Sequence, residues 1–195
     1  MNKNVQKTDF INSYSASTAV VPEVIEHLIC DLKKYNYKQN EIDEIVISLD
    51  EAITNAIQET MEINLCARQA GDFSENTDLT VRYTVTNEVF DATIIDHGKG
   101  LDIFKRLNLT PQSDSDNYLS QIILYATESE RRKLKVRLNG REIPLRGIGA
   151  GLKIILNFMD SISIDLIDRQ HVVAQSVTEY TEGTIFNMKR KRRYV

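Results

Sequence analysis

Cysteine, histidine and glycine are scarce in this chain, and long apolar runs are absent. Its two cysteines, Cys30 and Cys66, stand outside any C-x-x-C or Cys/His spacing. They read as reduced thiols, one of them inside an apolar helix face, rather than as a disulfide framework. Three scattered histidines do not supply a structural zinc site. No apolar run approaches the roughly 20 residues of a membrane-spanning helix. The opening "MNKNVQKTDFINSY" has no apolar core of the signal-peptide kind. The expectation is a cytoplasmic protein with no membrane partner. A net charge of −4 argues against direct nucleic-acid binding. The one basic run, "KRKRR" at 189–193, reads as part of a solvated tail over 189–195.

The few glycines are concentrated. Of eight in 195 residues, six fall at 98–100, 147–151 and Gly183, a distribution expected where backbone approaches something closely. The rest of the composition is ordinary: 42% apolar and 27% charged residues suit a soluble chain, and the length fits one domain over 1–195.

Periodicity orders the elements. "TDFINSYS" (8–15) suits a first strand. "VPEVIEHLICDLKKY" carries Val24, Ile25, Leu28, Ile29 and Leu32 at helical spacing. A second helix follows in "NEIDEIVISLDEAITNAIQETM", its stripe running from Ile42 to Ala56, with Asn40 as N-cap. "RQAGDFSENTD" (68–78) reads as a loop, and "LTVRYTV" with "VFDATII" as an antiparallel pair. The middle segment holds a helix ("NYLSQIILYATESERR") and a hairpin about Asn139-Gly140. A further helix starts at Gly149. "SISIDLI", "VVAQSVTEY" and "GTIFNMK" close the chain as strands. Helices early and strands late predict an α+β two-layer sandwich.

Three stretches carry chemistry. Glu51 and Asn55, four apart, share a helix face at the edge of the apolar stripe. An Asn oxygen suits a Mg²⁺ that takes its other ligands from phosphates and water, and a carboxylate one turn away suits proton uptake from a nucleophile. A solvated Glu and a surface Asn would look the same. Asp96, after an apolar strand in "DHGKG", can accept from an exocyclic amino group. Gly98 and Gly100 would let backbone pass beside a base, although a plain strand-to-loop turn also fits. The glycines of "RGIGAGLKI" open a helix whose unpaired N–H groups attract anions, phosphate above all. The cations between Arg131 and Arg146 suit a solvated surface, with one or two free to meet a terminal phosphate.

E-x-x-x-N on a helix, D-x-G-x-G after a strand, G-x-G opening a later helix and "GT" before a last strand, in that order, resemble the GHKL (Bergerat-fold, histidine-kinase-like) ATPases. "DEAITNAI", "DHGKGLD" and "GAGLKIILNFMDSISID" look most like the anti-sigma-factor serine kinases of the RsbW/SpoIIAB type. The resemblance implies a mixed, mostly antiparallel sheet with helices on one face and an ATP lid over about 101–148. It implies Glu51 as general base and Asn55 as the Mg²⁺ ligand. Asp96 would be the adenine-binding acid, with Gly98 and Gly100 beside it. Gly149, Gly151 and Leu152 would lie at the phosphates, and Thr184 would support the adenine contact. ATP and Mg²⁺ would be bound, a serine on an antagonist protein phosphorylated, and a sigma factor sequestered, in a family that tends to dimerise. The departures are the lack of a His shortly after the Asn box, where this chain has "NAIQETME", a polar insertion over about 62–78, a long lid, and Arg146 offset by about a residue. They keep a second reading in view: a nucleotide-dependent protein-binding regulator without kinase activity. His27 in "IEHLICDL" lacks the flanks of a phospho-accepting histidine.

Overall fold

Two helices separated by a sharp turn open the fold after one edge strand. The computed structural model describes residues 6–69, 79–98, 100–101, 135–138, 141–144, 150–168, 173–174 and 180–193. Strand β1 (Lys7–Tyr14) leads to α1 (Val20–Lys34) and α2 (Gln39–Gln69), then to β2 (Leu79–Thr86) and β3 (Val89–Asp96). A short hairpin of β4 (Lys135–Leu138) and β5 (Arg141–Pro144) precedes α3 (Ala150–Phe158). Strands β6 (Ser161–Asp168), β7 (Val173–Ala174) and β8 (Thr181–Lys191) complete the order. The main sheet runs β1-β2-β3-β8-β6-β7. The sequence allowed a mixed sheet, but every pairing among the described residues is antiparallel.

The core follows from period-two alternation against an apolar helix stripe. Leu79, Val81, Tyr83 and Val85 of β2 point to the same face as Phe90, Ala92 and Ile94 of β3 and Ile162, Ile164 and Leu166 of β6, all buried. α2 packs against β2 and β3 and is flanked by α1 and α3. Its Ile45, Leu49, Ile53 and Ile57 are buried to about 1% exposure or less. The result is an α+β two-layer arrangement. A buried polar contact ties the layers: Tyr83 donates to Asp31 at 2.8 Å, while Tyr83 stacks on Phe10 with centroids 4.7 Å apart. Burial and the Asp31 hydrogen bond raise the Tyr83 pKa far above the usual phenol range, so it stays a donor.

Local chemistry sets the helix ends. Asn36, at φ 55°, ends α1 in a Schellman motif: Tyr37 N–H donates to Leu32 O at 3.2 Å and Asn36 N–H to Lys33 O at 3.0 Å. α2 begins one residue before the expected cap at Asn40. The cap is Lys38, whose N–H donates to the carboxylate of Glu41 at 3.2 Å, the back-bonding half of a capping box. α2 also continues through 62–69, part of the stretch read as an insertion, before the residues 70–78 that lie outside the described set. Cys30 is exposed on α1, not within its apolar face, and the side chain of Cys66 lies outside the described residues.

The basic run differs most from expectation. Residues 189–191 continue β8, and Arg190 falls in the inward slot after Phe186 and Met188. Arg190 is 1% exposed; it pairs with Glu44 and donates to Phe158 O, at the end of α3, at 2.9 Å. Arg192 donates to Tyr35 O at 2.8 Å and to Asn36 O, and lies 5.0 Å from the Tyr37 ring centroid. The Arg193 N–H donates to Glu41 at 3.0 Å. Arg190 and Arg192 answer the carbonyl ends of helices, where positive charge is favoured, so 189–193 is a docked segment and not a free tail. Arg190→Ala is expected to lower stability by about 3 kcal/mol, since it leaves the partner carboxylate and a carbonyl unanswered. A urea midpoint within error of wild type would show that the pair adds nothing.

Candidate functional site

Glu51, Asn55 and Glu59 stand one turn apart on the solvent edge of α2, next to the stripe that fixes the helix on the sheet. Asn55 Nδ2 donates to Glu51 Oε1 at 3.3 Å, which leaves the Asn55 carbonyl oxygen as its remaining acceptor. The small residues Ala52 and Ala56 lie between these rungs, and a cavity opens over them. α2 contributes Ala52, Asn55, Ala56 and Glu59 to its lining; β3 contributes Asp96, followed by Leu101. α3 contributes Gly151, Leu152 and Ile155, and β8 contributes Thr184 and Phe186. Its walls are largely apolar with a few polar side chains, Asn55, Glu59, Asp96 and Thr184, as is usual for small-molecule pockets.

Two glycines mark the ends of the α2 ladder. At one end Gly151 lies directly against the Glu51 carboxylate, where any side chain on residue 151 would stand. At the other end, a Cβ on Gly98 would lie 2.8 Å from Glu59 Cβ and 2.9 Å from Asp96 Oδ1. Eight residues of helix separate Glu51 from Glu59, about 12 Å of rise. Gly98 is buried and its N–H donates to Asp96 Oδ1 at 2.8 Å. Gly100 takes φ 83°, a value that disfavours side chains, and this turn brings Leu101 N–H to Thr184 Oγ1 at 3.1 Å.

Asp96 is 5% exposed and sits opposite Thr184 in the β3–β8 ladder. Burial pushes its pKa up to about 6; the hydrogen bond from Gly98 opposes this, the charge of Glu59 adds to it, and hydrogen bonds from Thr184 oppose it again. Opposite, β8 carries a bulge: Ile167 pairs with Gly183 and Asp168 with Thr181, so Glu182 is the extra residue.

Of the residues singled out in the sequence, Asn55, Asp96, Gly151, Leu152 and Thr184 line one cavity. Glu51, Gly98 and Gly100 adjoin it through the contacts above. Gly149 lies outside the described residues, as do Gly147, Arg146, the expected helix about 117–132 and most of the expected lid. Glu59 was not anticipated, although it is the third rung of the same four-residue spacing. The apolar walls Leu101, Ile155 and Phe186 carried no signal beyond hydrophobicity.

The donor set bears on a metal. Among the described residues no three His, Cys, Asp or Glu side chains cluster as a cation site. A hard cation at Asn55 would therefore take most of its oxygens from a bound phosphate and from water, the usual habit of Mg²⁺, and the residues fit that role. No helix among the described residues is long and apolar enough to cross a membrane.

No protein-family model matches the chain, and no curated protein sequence matches it. Among solved structures it is similar to the crystal structure of the SiaB-SiaC complex from Pseudomonas aeruginosa. The identity is 14% and the TM-score 0.50, over 94% of this chain and 88% of that one. At this identity the likeness is one of fold.

Proposed function

We propose that the chain is one histidine-kinase-like (GHKL) ATPase domain that binds Mg-ATP in this cavity. It would phosphorylate a serine on a small antagonist protein and sequester a sigma factor in a partner-switching system of the cytoplasm. One observation carries the reading: the ladder Glu51–Asn55–Glu59 runs from the start of α3 to Asp96, about the length of a nucleotide from base to phosphates. The solved relative of similar fold is itself a complex of two proteins, which favours a protein partner.

In this reading the apolar walls hold a purine and Asp96 accepts from its 6-amino group. Thr184 holds the backbone after Gly100, and so the rim of the base site. Gly151, in the first turn of α3, faces the phosphates, whose charge the helix N-terminus favours, and the sequence motif assigns Gly149 to the same role. Asn55 Oδ1 supplies the protein's ligand to Mg²⁺, which when bound would neutralise charge on the phosphate oxygens. The serine oxygen attacks the γ-phosphorus as the bridge to the β-phosphate breaks, and the Glu51 carboxylate takes the hydroxyl proton. The products are phosphoserine and ADP.

Glu51→Ala is expected to slow transfer by about 100-fold or more while leaving Mg-ATP affinity nearly unchanged. Labelled ATP with candidate antagonist proteins measures the first, calorimetry the second. A second reading, nucleotide-gated binding without transfer, is favoured by one fact: the Glu51 carboxylate is sheltered on Gly151 and is not among the residues lining the cavity. Tight Mg-ATP binding with no phosphoserine on any partner would select that reading.

A further inference from the structure

Two acidic residues, Asp96 and Glu59, line the cavity. Both flank the same point beside Gly98: a Cβ there would meet Glu59 Cβ at 2.8 Å and Asp96 Oδ1 at 2.9 Å. They are close enough that the charge of Glu59 acts on Asp96. Among the described residues that line the cavity, none is a cation. Hydrogen-bond donors on a ligand suit these two side chains, and an acceptor does not. We infer that Glu59 is a base-reading residue, the second of two acceptors that select a 6-amino purine over a 6-oxo purine. The inference rests on the nucleotide reading above and adds to it the determinant of base identity.

The hydrogen-bond chemistry is specific. A 6-amino group carries two N–H donors. Asp96 Oδ1 already accepts from Gly98 N–H, and its remaining lone pairs can take one of the amino hydrogens. A carboxylate has about four acceptor sites, so Glu59 has capacity for the other, whatever else it holds. A 6-oxo purine turns a carbonyl oxygen to the same place. Two acceptor side chains then face a third acceptor. Gln at residue 59 removes the charge and adds an N–H₂ that can donate to that carbonyl.

The test is calorimetric titration of the full chain with Mg-ATP and with Mg-ITP, which differ at the 6-position and the adjoining N1. Wild type is expected to favour ATP by about 100-fold or more. Glu59→Gln should narrow that preference by about tenfold or more, chiefly by tightening Mg-ITP, with an unchanged circular-dichroism spectrum. Glu59→Ala, which removes the repelling charge without adding a donor, serves if the Gln variant does not fold, and should also narrow it. Wild type that binds neither nucleotide overturns the nucleotide reading itself. Wild type that binds Mg-ATP while both Glu59 variants keep its preference overturns the role of Glu59 alone.

Discussion

Asp96→Asn is expected to raise the melting temperature above pH 7 and, at the same time, to remove the stabilisation by Mg-ATP. The two effects have one origin. The carboxyl pKa moves from 3.8 to about 6, with burial as the main cause. A folded-state value above the unfolded one means that the folded protein holds this proton more tightly between about pH 4 and 6. The contribution of this group to stability is therefore fully present below that window and is lost as pH rises through about 6, by about 3 kcal/mol for this displacement. Asn keeps an oxygen for the Gly98 N–H and carries no charge, so it escapes the penalty. The gain at pH 8 should reach about 1–3 kcal/mol, or several degrees in a chain of this size, and should vanish near pH 4. Nucleotide at 100 times its dissociation constant stabilises wild type by about 2.7 kcal/mol, and the variant should lose that shift. Differential scanning fluorimetry at pH 4 and 8, with and without Mg-ATP, reads all four conditions. An undiminished shift in the variant would remove Asp96 from the ligand site. A variant less stable than wild type at pH 8 would mean that the hydrogen bonds outweigh burial.

How much of this was legible in the sequence depended on whether a pattern survived its residue types. The stripes of α1 and α2 and the alternation of β2 and β3 could be read because apolar residues occupy the inward positions. In β8 the same alternation continues through Phe186, Met188 and Arg190, but the last inward residue is charged. The period was therefore lost to a composition rule about basic runs. Asn40 was read as a cap from its side chain, whereas Glu41 caps from inside the helix. The far end of α2 was read as part of a polar insertion, with a loop from 68, although no Gly or Pro interrupts it before Gly71.

The candidate site was legible in part for the same reason. Asn55 and Asp96 stand in motifs with fixed spacing. Glu59 belongs to no motif and declares itself only when Gly98 is seen against it. Gly183 was noticed as one of few glycines, but its reason is tertiary: the carbonyl of Asp96 lies where its side chain would be.

That carbonyl makes Gly183→Ala the most damaging small substitution near the cavity. The obstacle is backbone on a neighbouring strand, so no rotamer relieves it; β8 must move away from β3. Gly183 pairs with Ile167 beside the bulge at Glu182, and the next residue, Thr184, pairs with Asp96 and accepts the Leu101 N–H. A shift there disturbs the hydrogen bonds that hold both sides of the base site. A loss of about 3 kcal/mol is expected, at the upper end for a single added methyl group, together with weaker Mg-ATP binding. Gly151→Ala is the control. It also adds one methyl group, but it meets the mobile end of the Glu51 side chain, which can swing aside. It should keep stability within about 1 kcal/mol, while slowing transfer because Glu51 is displaced. Urea unfolding of the two variants side by side decides the matter. Equal midpoints for Gly183→Ala and wild type would mean that β8 yields freely, and the β3–β8 pairing would no longer explain why this position is glycine.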